Sequence, residues 1–230
     1  MTAITLTIVL QNGVAIAELL KVLHIPGACT LSPHTYTLLN KSASVGSIAI
    51  DAEGVGLYIE SVEHNNITVI VEDTGGCGNR VSARIENGVL KVRAGTRGCC
   101  SIKIRLPHKH YNVSLDLSAT ALKIKGLIID KLALTASTSL VKVLDSSIGA
   151  ADIQVTASSM KFYNTDIREK LTISATTSSV KLALSNQGAS IVLQGASASS
   201  ISNSCPEAQT PAILVSGSAS SIRISCAGIG

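Results

Sequence analysis

The second half of the chain, residues 113–226, states one pattern six times. The copies read VSLDLSATALKIK, LALTASTSLVKV, IQVTASSMKFY, LTISATTSSVKLAL, IVLQGASASSISN and ILVSGSASSIRIS. Each holds two short runs in which every second residue is apolar, joined by Ala, Ser, Thr or Gly. In the first run the apolar positions align as Leu115, Leu132, Ile153, Leu171, Ile191 and Ile213, followed two residues on by Leu117, Leu134, Val155, Ile173, Leu193 and Val215. A small column comes next: Ala119, Ala136, Ala157, Ala175, Gly195 and Gly217. In the second run Leu122, Val141, Met160, Val180, Ile201 and Ile222 form a third apolar column, and Ile124, Val143, Phe162, Leu182 and Ile224 a fourth, interrupted by Asn203. Between these two columns stand Lys123, Lys142, Lys161, Lys181, Ser202 and Arg223, in steps of about 19 to 21 residues, the period of a solenoid.

Residues i and i+2 of a strand face the same side, so each copy reads as a rung with its apolar columns turned inward and its small column at a tight turn. A single rung cannot bury its own face. Stacking rungs as parallel strands about 4.8 Å apart buries a continuous core. The hand of parallel crossovers favours a right-handed coil. The expected fold is therefore all-β, a right-handed parallel β-helix, or solenoid.

Composition agrees with such a stack. Charged residues are 15% of the 230, below the roughly 25% of ordinary soluble domains, and with no Trp, 1 Phe and 4 Tyr the core has to be aliphatic. The same scarcity of aromatics argues against a pocket built on stacking platforms for sugars or bases. A net charge of +4 is too small by itself to imply nucleic acid. No run of about 18 apolar residues is present, so no transmembrane segment is expected. The start, MTAITLTIVLQNGVAIAELLKVL, lacks a basic n-region and is interrupted by Glu18, which reads against a secretory signal and, taken alone, for the cytoplasm.

Residues 4–10 alternate as a strand, and Asn12-Gly13 ends them as a turn. Residues 14–24, VAIAELLKVLH, form the one convincing helix, stopped by Pro26-Gly27. Its surface is apolar apart from Glu18 and Lys21, as suits a short helix capping one end of a core. Residues 31–45 show no clear pattern. From Gly46 the period-two signal returns in SIAID, VGLYIES, NITVIVED, RVSARI, GVLKVR and SIKIRL. The expected layout is a single continuous domain: strand, capping helix and loop in 1–45, an irregular β-strand half in 46–112, and regular repeats in 113–230.

The segment ENGVLKVRAGTRGCCSIKIRLPHKHYNVSLDLSATALKIKG, residues 86–126, resembles the β-strand-repeat families described as putative adhesins of bacteria and archaea. They share a short strand after an Asn/Asp-Gly turn, a strand ending in Leu-Pro, then alternating rungs with small residues at the turns. The likeness covers most of residues 46–226. It implies a β-helix, a structural or adhesin-like role, and a place in the envelope or outside the cell. It carries over no catalytic residue. The chain departs from the pattern in its cysteines and in the absence of an evident export signal.

The 6 Cys show none of the paired short spacings of a zinc site. Cys205 and Cys226 occupy the same offset in successive copies. They read either as stacked small hydrophobes, which the awkwardness of in-register parallel bonding favours, or as a candidate disulfide implying an oxidising compartment or a hyperthermophile. Cys77, Cys99 and Cys100 lie in Gly-rich turns and are candidates to pair with one another; Cys29 has no evident partner.

Among candidate sites, the acids of the repeat half, Asp116, Asp130, Asp145, Asp152, Asp166, Glu169 and Glu207, fall in different columns and read as solvated turn residues. This weakens the carbohydrate-active enzyme alternative, and no cofactor is expected. His108 and His110 share a strand face, yet nothing nearby supplies a third or fourth metal ligand. The stacked cations Lys123, Lys142, Lys161, Lys181 and Arg223 read first as solubility chemistry that deters sheet-to-sheet association. Their functional reading is a stripe for a polyanion: acidic glycan, lipid surface or nucleic acid. Finally, the last copy is expected to leave an open edge at Ile213, Val215, Ile222 and Ile224, through which the protein would form a homo-oligomer. The expected function is that of a non-enzymatic, self-associating interaction protein, with a polyanion-binding module as the alternative.

Overall fold

A computed structural model describes residues 34–73, 80–95, 100–186, 188–193, 200–208 and 211–227. The described residues are all-β: they hold eighteen strands and no helix. The expected strand at 4–10 and capping helix at 14–24 lie outside them. The first nine strands are β1 (His34–Ser42), β2 (Ser47–Glu53), β3 (Gly56–Val62), β4 (Asn66–Asp73), β5 (Val81–Glu86), β6 (Val89–Gly95), β7 (Cys100–Pro107), β8 (His110–Ser118) and β9 (Ala121–Lys125). The repeats supply β10 (Ile128–Ser137), β11 (Leu140–Leu144), β12 (Ser147–Thr156), β13 (Ser159–Thr176), β14 (Ser179–Leu184), β15 (Ser190–Leu193), β16 (Ser200–Asn203), β17 (Ala212–Ser218) and β18 (Ser221–Cys226).

Most strands pair in parallel with strands about one repeat away, so two stacks of hydrogen-bonded neighbours arise. The front stack runs β1, β4, β7, β3, β9, β11, β13, β14, β18, β16. The back stack runs β5, β6, β2, β8, β10, β12, β13, β17, β15. The 18-residue β13 belongs to both: its first half pairs β11 and β14, its second half β12 and β17. Alternate residues of the two stacks meet in one cluster of buried side chains reaching from Val45 to Cys226.

The second-run columns stand as read from the sequence: Leu122, Val141, Met160, Val180, Ile222 and Ile201 are in register. The first-run columns need a correction. Leu115 pairs with Leu134, Leu134 with Ile153, Ile153 with Ile173 and Ile173 with Val215, so the copies beginning at residues 113 and 153 are two residues out of the sequence alignment. A shift of two leaves every side chain on its own face, which is why alternation alone did not reveal it. The small column divides likewise. Ala136, Ala175 and Gly217 share a column with Leu117 and Val155, whereas Ala119 and Ala157 are turn residues in line with Thr138, Thr177 and Ala219.

Those five turn residues all have φ between 48° and 51°, a conformation that L-residues other than Asn and Asp seldom adopt. What holds them is the next residue: Thr120, Ser139, Ser158, Ser178 and Ser220 form a ladder of buried hydroxyls. Ser158 Oγ donates to the Thr156 carbonyl at 2.7 Å and accepts from the Ser139 N–H at 3.0 Å. Ser178 repeats this toward Thr176 and the Ser158 N–H, and Ser220 toward Ser218 and the Ser178 N–H. Each hydroxyl thus satisfies backbone groups that a dry corner would otherwise leave unpaired.

Chain order and spatial order differ at both ends. The copy β17–β18 lies between β13–β14 and β15–β16, and the pair β2–β3 lies between β6–β7 and β8–β9. The expectation that Ile213, Val215, Ile222 and Ile224 form an open edge is therefore corrected: they are 0–1% exposed. The reason lies in the fifth copy. Asn203 occupies the column filled by Ile224 in the sixth, so placing the sixth copy inside and the fifth outside keeps an amide out of the dry core. At the other end the stacks finish with antiparallel strands, β1 on β4 and β5 on β6, with Tyr36, Leu38, Leu39, Ala83 and Ile85 packed on the core. The sequence showed no clear pattern over residues 31–45, because β1 has only half-buried positions to reveal it.

Candidate functional site

The outer face of the front stack gathers the basic residues. In the inward-outward alternation of β9, β11, β13, β14 and β18, the position between the two buried columns always points out. Lys123, Lys142, Lys161, Lys181 and Arg223 fill it on five successive strands. In the sequence Ser202 interrupts this column; in the fold Lys181 pairs directly with Arg223, and Ser202 follows at the end. The cations run unbroken over four steps, roughly 19 Å at about 4.8 Å per strand.

The column also continues in the other direction, through residues the sequence reading did not single out. Tyr58 pairs with Lys123 on one side and Lys103 on the other. Both ammonium groups lie over its ring, at 5.2 and 5.0 Å from the centroid. Two residues along, Glu60 accepts from Lys103 Nζ at 2.9 Å and from Arg105 Nε at 3.0 Å. Its side chain is only 18% exposed, and burial disfavours its charge, but hydrogen bonds from Lys103, Tyr58 and Arg105 outweigh that and hold its pKa below the usual value. Among the described residues, the ion pairs otherwise fall to Arg84, Lys91, His110 and Arg168, and none reaches Lys123, Lys142, Lys161, Lys181 or Arg223. Like charges stacked on adjacent strands repel, so these five present an uncompensated positive strip.

Two lanes flank the strip. On one side Ser159, Ser179, Ser221 and Ser200 stand in register. On the other are Lys125, Leu144, Tyr163, Ala183 and Ser225, with Tyr163 64% exposed. The outer face of the back stack is mixed in sign. Lys91, Arg93, Lys131 and Lys170 share it with Asp51, Glu53, Asp116 and Asp152. There Asp51 and Asp116 are brought opposite each other, a pairing the sequence did not reveal because Asp51 lies in the less regular half.

The histidines are separated. His108 Nδ1 lies 3.0 Å from the Ser61 hydroxyl, whereas His110 Nδ1 bonds Asp130 Oδ1 at 2.8 Å. Arg168 Nη2 donates to the same oxygen at 3.2 Å, reaching across Gly149, where a Cβ would sit 2.5 Å from the Asp130 carbonyl oxygen. The bonds from His110 and then Arg168 keep the Asp130 pKa low, so this cluster reads as a clasp across strands. Among the described residues no group of three or more His, Cys, Asp or Glu is placed to hold a metal.

Cys205 and Cys226 are joined in a disulfide, with Cα atoms 4.9 Å apart. The expected awkwardness of an in-register parallel bond is not met: just beyond β16 the Ser204 N–H still donates to the Ile224 carbonyl, and the 4.9 Å separation lies within the range a disulfide spans. Cys100 is disulfide-bonded as well. No helix among the described residues is long and apolar enough to cross a membrane.

No family model and no curated protein matches the chain. Three similar solved structures are a putative cell adhesion protein from Clostridium sporogenes, a putative adhesin from Bacteroides fragilis and a putative lipid binding protein from Parabacteroides distasonis. The first shares 12% identity over 85% of this chain and 100% of its own, with a TM-score of 0.45. The second shares 11% over 85% and 98%, with a TM-score of 0.46. The third shares 10% over 86% and 98%, with a TM-score of 0.38.

Proposed function

We propose that the protein is a non-enzymatic, adhesin-like interaction protein: one continuous domain built as a right-handed parallel β-helix, using the outer face of its front stack to hold an anionic polymer. The observation that carries this is the unbroken register of Lys123, Lys142, Lys161, Lys181 and Arg223. Solubility alone needs charges that are dispersed and mixed in sign, as on the back face; a single-sign strip costs repulsion that a polyanion relieves. The disulfide at Cys205–Cys226 favours an oxidising location, outside the cytoplasm. The test is elution from immobilised heparin. Lys142→Glu with Lys161→Glu should elute at clearly lower salt than the wild type, whereas the back-face pair Lys131→Glu with Lys170→Glu should not differ from it. Equal elution of both doubles would remove the strip from any binding role.

A second reading, self-association, is supported by the other end of the fold. β15 and β16 pair on one side only among the described residues, and Val192 is 46% exposed. An unpaired parallel edge accepts a further strand. Sedimentation across a wide concentration range checks it, and a strictly monomeric protein at the highest concentration excludes it.

A further inference from the structure

We infer that the polymer held by the strip is an extended acidic polysaccharide with one carboxylate per sugar, lying along the stacking axis. This rests on the polyanion reading above and specifies its ligand.

The argument begins with spacing. The cations repeat once per strand, about 4.8 Å apart, on a straight line. A chain of uronic acid residues linked end to end presents one negative charge per sugar at a comparable repeat, so successive carboxylates meet successive ammonium groups. A DNA strand offers a phosphate every ~3.4 Å along the duplex axis, which falls out of step within a few strands.

Next comes what stands beside the charges. Ser159, Ser179 and Ser221 accompany Lys161, Lys181 and Arg223, each two residues earlier on the same strand and therefore on the same outer face. A hydroxyl both donates and accepts, so it can answer both the donors and the acceptors of a sugar's vicinal hydroxyls, whereas toward a phosphodiester, which only accepts, it can only donate. On the far side of the strip, exposed Tyr163 offers one apolar ring face beside Lys161.

The competing polyanions lack their usual partners here. A run of single-stranded bases stacks on several free aromatic faces, whereas beside the strip Tyr163 is the one exposed ring among the described residues, Tyr58 lying between the ammonium groups of Lys103 and Lys123. A bilayer surface is gripped by several large apolar side chains beside the basic ones, whereas the exposed large hydrophobics among the described residues are Tyr163 on the front face and Val192 on the back.

The test compares four immobilised probes against the whole protein: polygalacturonate, its methyl ester, single-stranded DNA, and phosphatidylserine vesicles. The expected result is tightest binding to polygalacturonate, with loss on methyl esterification. Lys142→Glu with Lys161→Glu should weaken it about tenfold or more at low salt. Ser179→Ala with Ser221→Ala, a pair of exposed changes that leave the charge intact, should weaken polygalacturonate binding by a clearly larger factor than DNA retention. Stronger binding to DNA or vesicles, still lost in the lysine double variant, overturns the polysaccharide and leaves the polyanion reading standing. So does polygalacturonate binding indifferent to the serine pair. No binding to any charged probe overturns both.

Discussion

The fifth and sixth copies of the repeat are close in sequence and differ in fate. IVLQGASASSISN and ILVSGSASSIRIS have the same alternation and the same small residues, yet β17–β18 is buried between neighbours while β15–β16 stands outermost. The distinguishing positions are few. Where the sixth copy has Arg223 and Ile224, the fifth has Ser202 and Asn203. An interior rung must be apolar in every inward column because it has core above and below; an end rung has core on one side and tolerates an amide turned to water. The chain reaches the outermost level first, with β15–β16, and comes back one level with β17–β18. Sequence adjacency thus proposes a neighbour, and burial decides which neighbour is taken.

The largest expected effect separates the two copies directly. Ile224→Asp places a carboxylate where the side chain is 0% exposed, and should cost about 4–5 kcal/mol or more, enough to prevent folding. Ile201→Asp, in the neighbouring inward column at the end of the stack, should cost less than about 2 kcal/mol, because the side chain is only partly buried. Urea unfolding measures both, and equal losses would mean that the sixth copy is not interior. Next in size is the disulfide. Replacing Cys205 and Cys226 by Ser releases a sequence separation of 21 residues, worth up to about 3 kcal/mol on chain entropy. Hydrogen exchange in that variant should rise in β15 and β16 while β17 and β18 stay protected; simultaneous opening of all four contradicts the spatial order.

Smaller again is the hydroxyl ladder. Ser220→Ala leaves the Ser178 N–H without its acceptor and should cost about 1–3 kcal/mol, whereas Ser221→Ala, one residue on and facing out, should stay within about 0.5 kcal/mol. The smallest stability effect is expected at the strip. Arg223→Glu and Ser202→Glu should each change stability by no more than about 0.5 kcal/mol. Arg223→Glu should lower the salt needed for elution from heparin more than Ser202→Glu, since one removes the last cation of the column and the other adds a charge beyond it. The reverse order would restore the chain-order arrangement.

Much of the candidate site was legible in the sequence, and what was missed has identifiable causes. The five cations could be aligned because each stands between two apolar residues, a local frame that survives any arrangement of copies. Lys103 and Tyr58 escaped notice because their strands, β7 and β3, lie in the half whose repeat is interrupted by antiparallel β4 and β5. The turn serines carry no sequence mark of their role, since a hydroxyl in a Ser-rich turn looks the same whether it faces water or bonds a neighbouring level. His108 and His110 share a sequence frame and no chemistry: one meets Ser61, the other Asp130, each distant in the chain.

By itself the sequence determined which side chains turn inward, because period-two alternation is a property of the strand and needs no partner to be read. It also determined the repeat length and the line of cations, for the same local reason. Only the tertiary structure decided which level lies on which: the two-residue register of the first run, the insertion of β17–β18 beneath β15–β16, and hence the closing of the gap between Lys181 and Arg223. Those choices depend on how much apolar surface each arrangement buries and which polar groups it leaves dry, quantities that belong to the assembled stack and to no single copy.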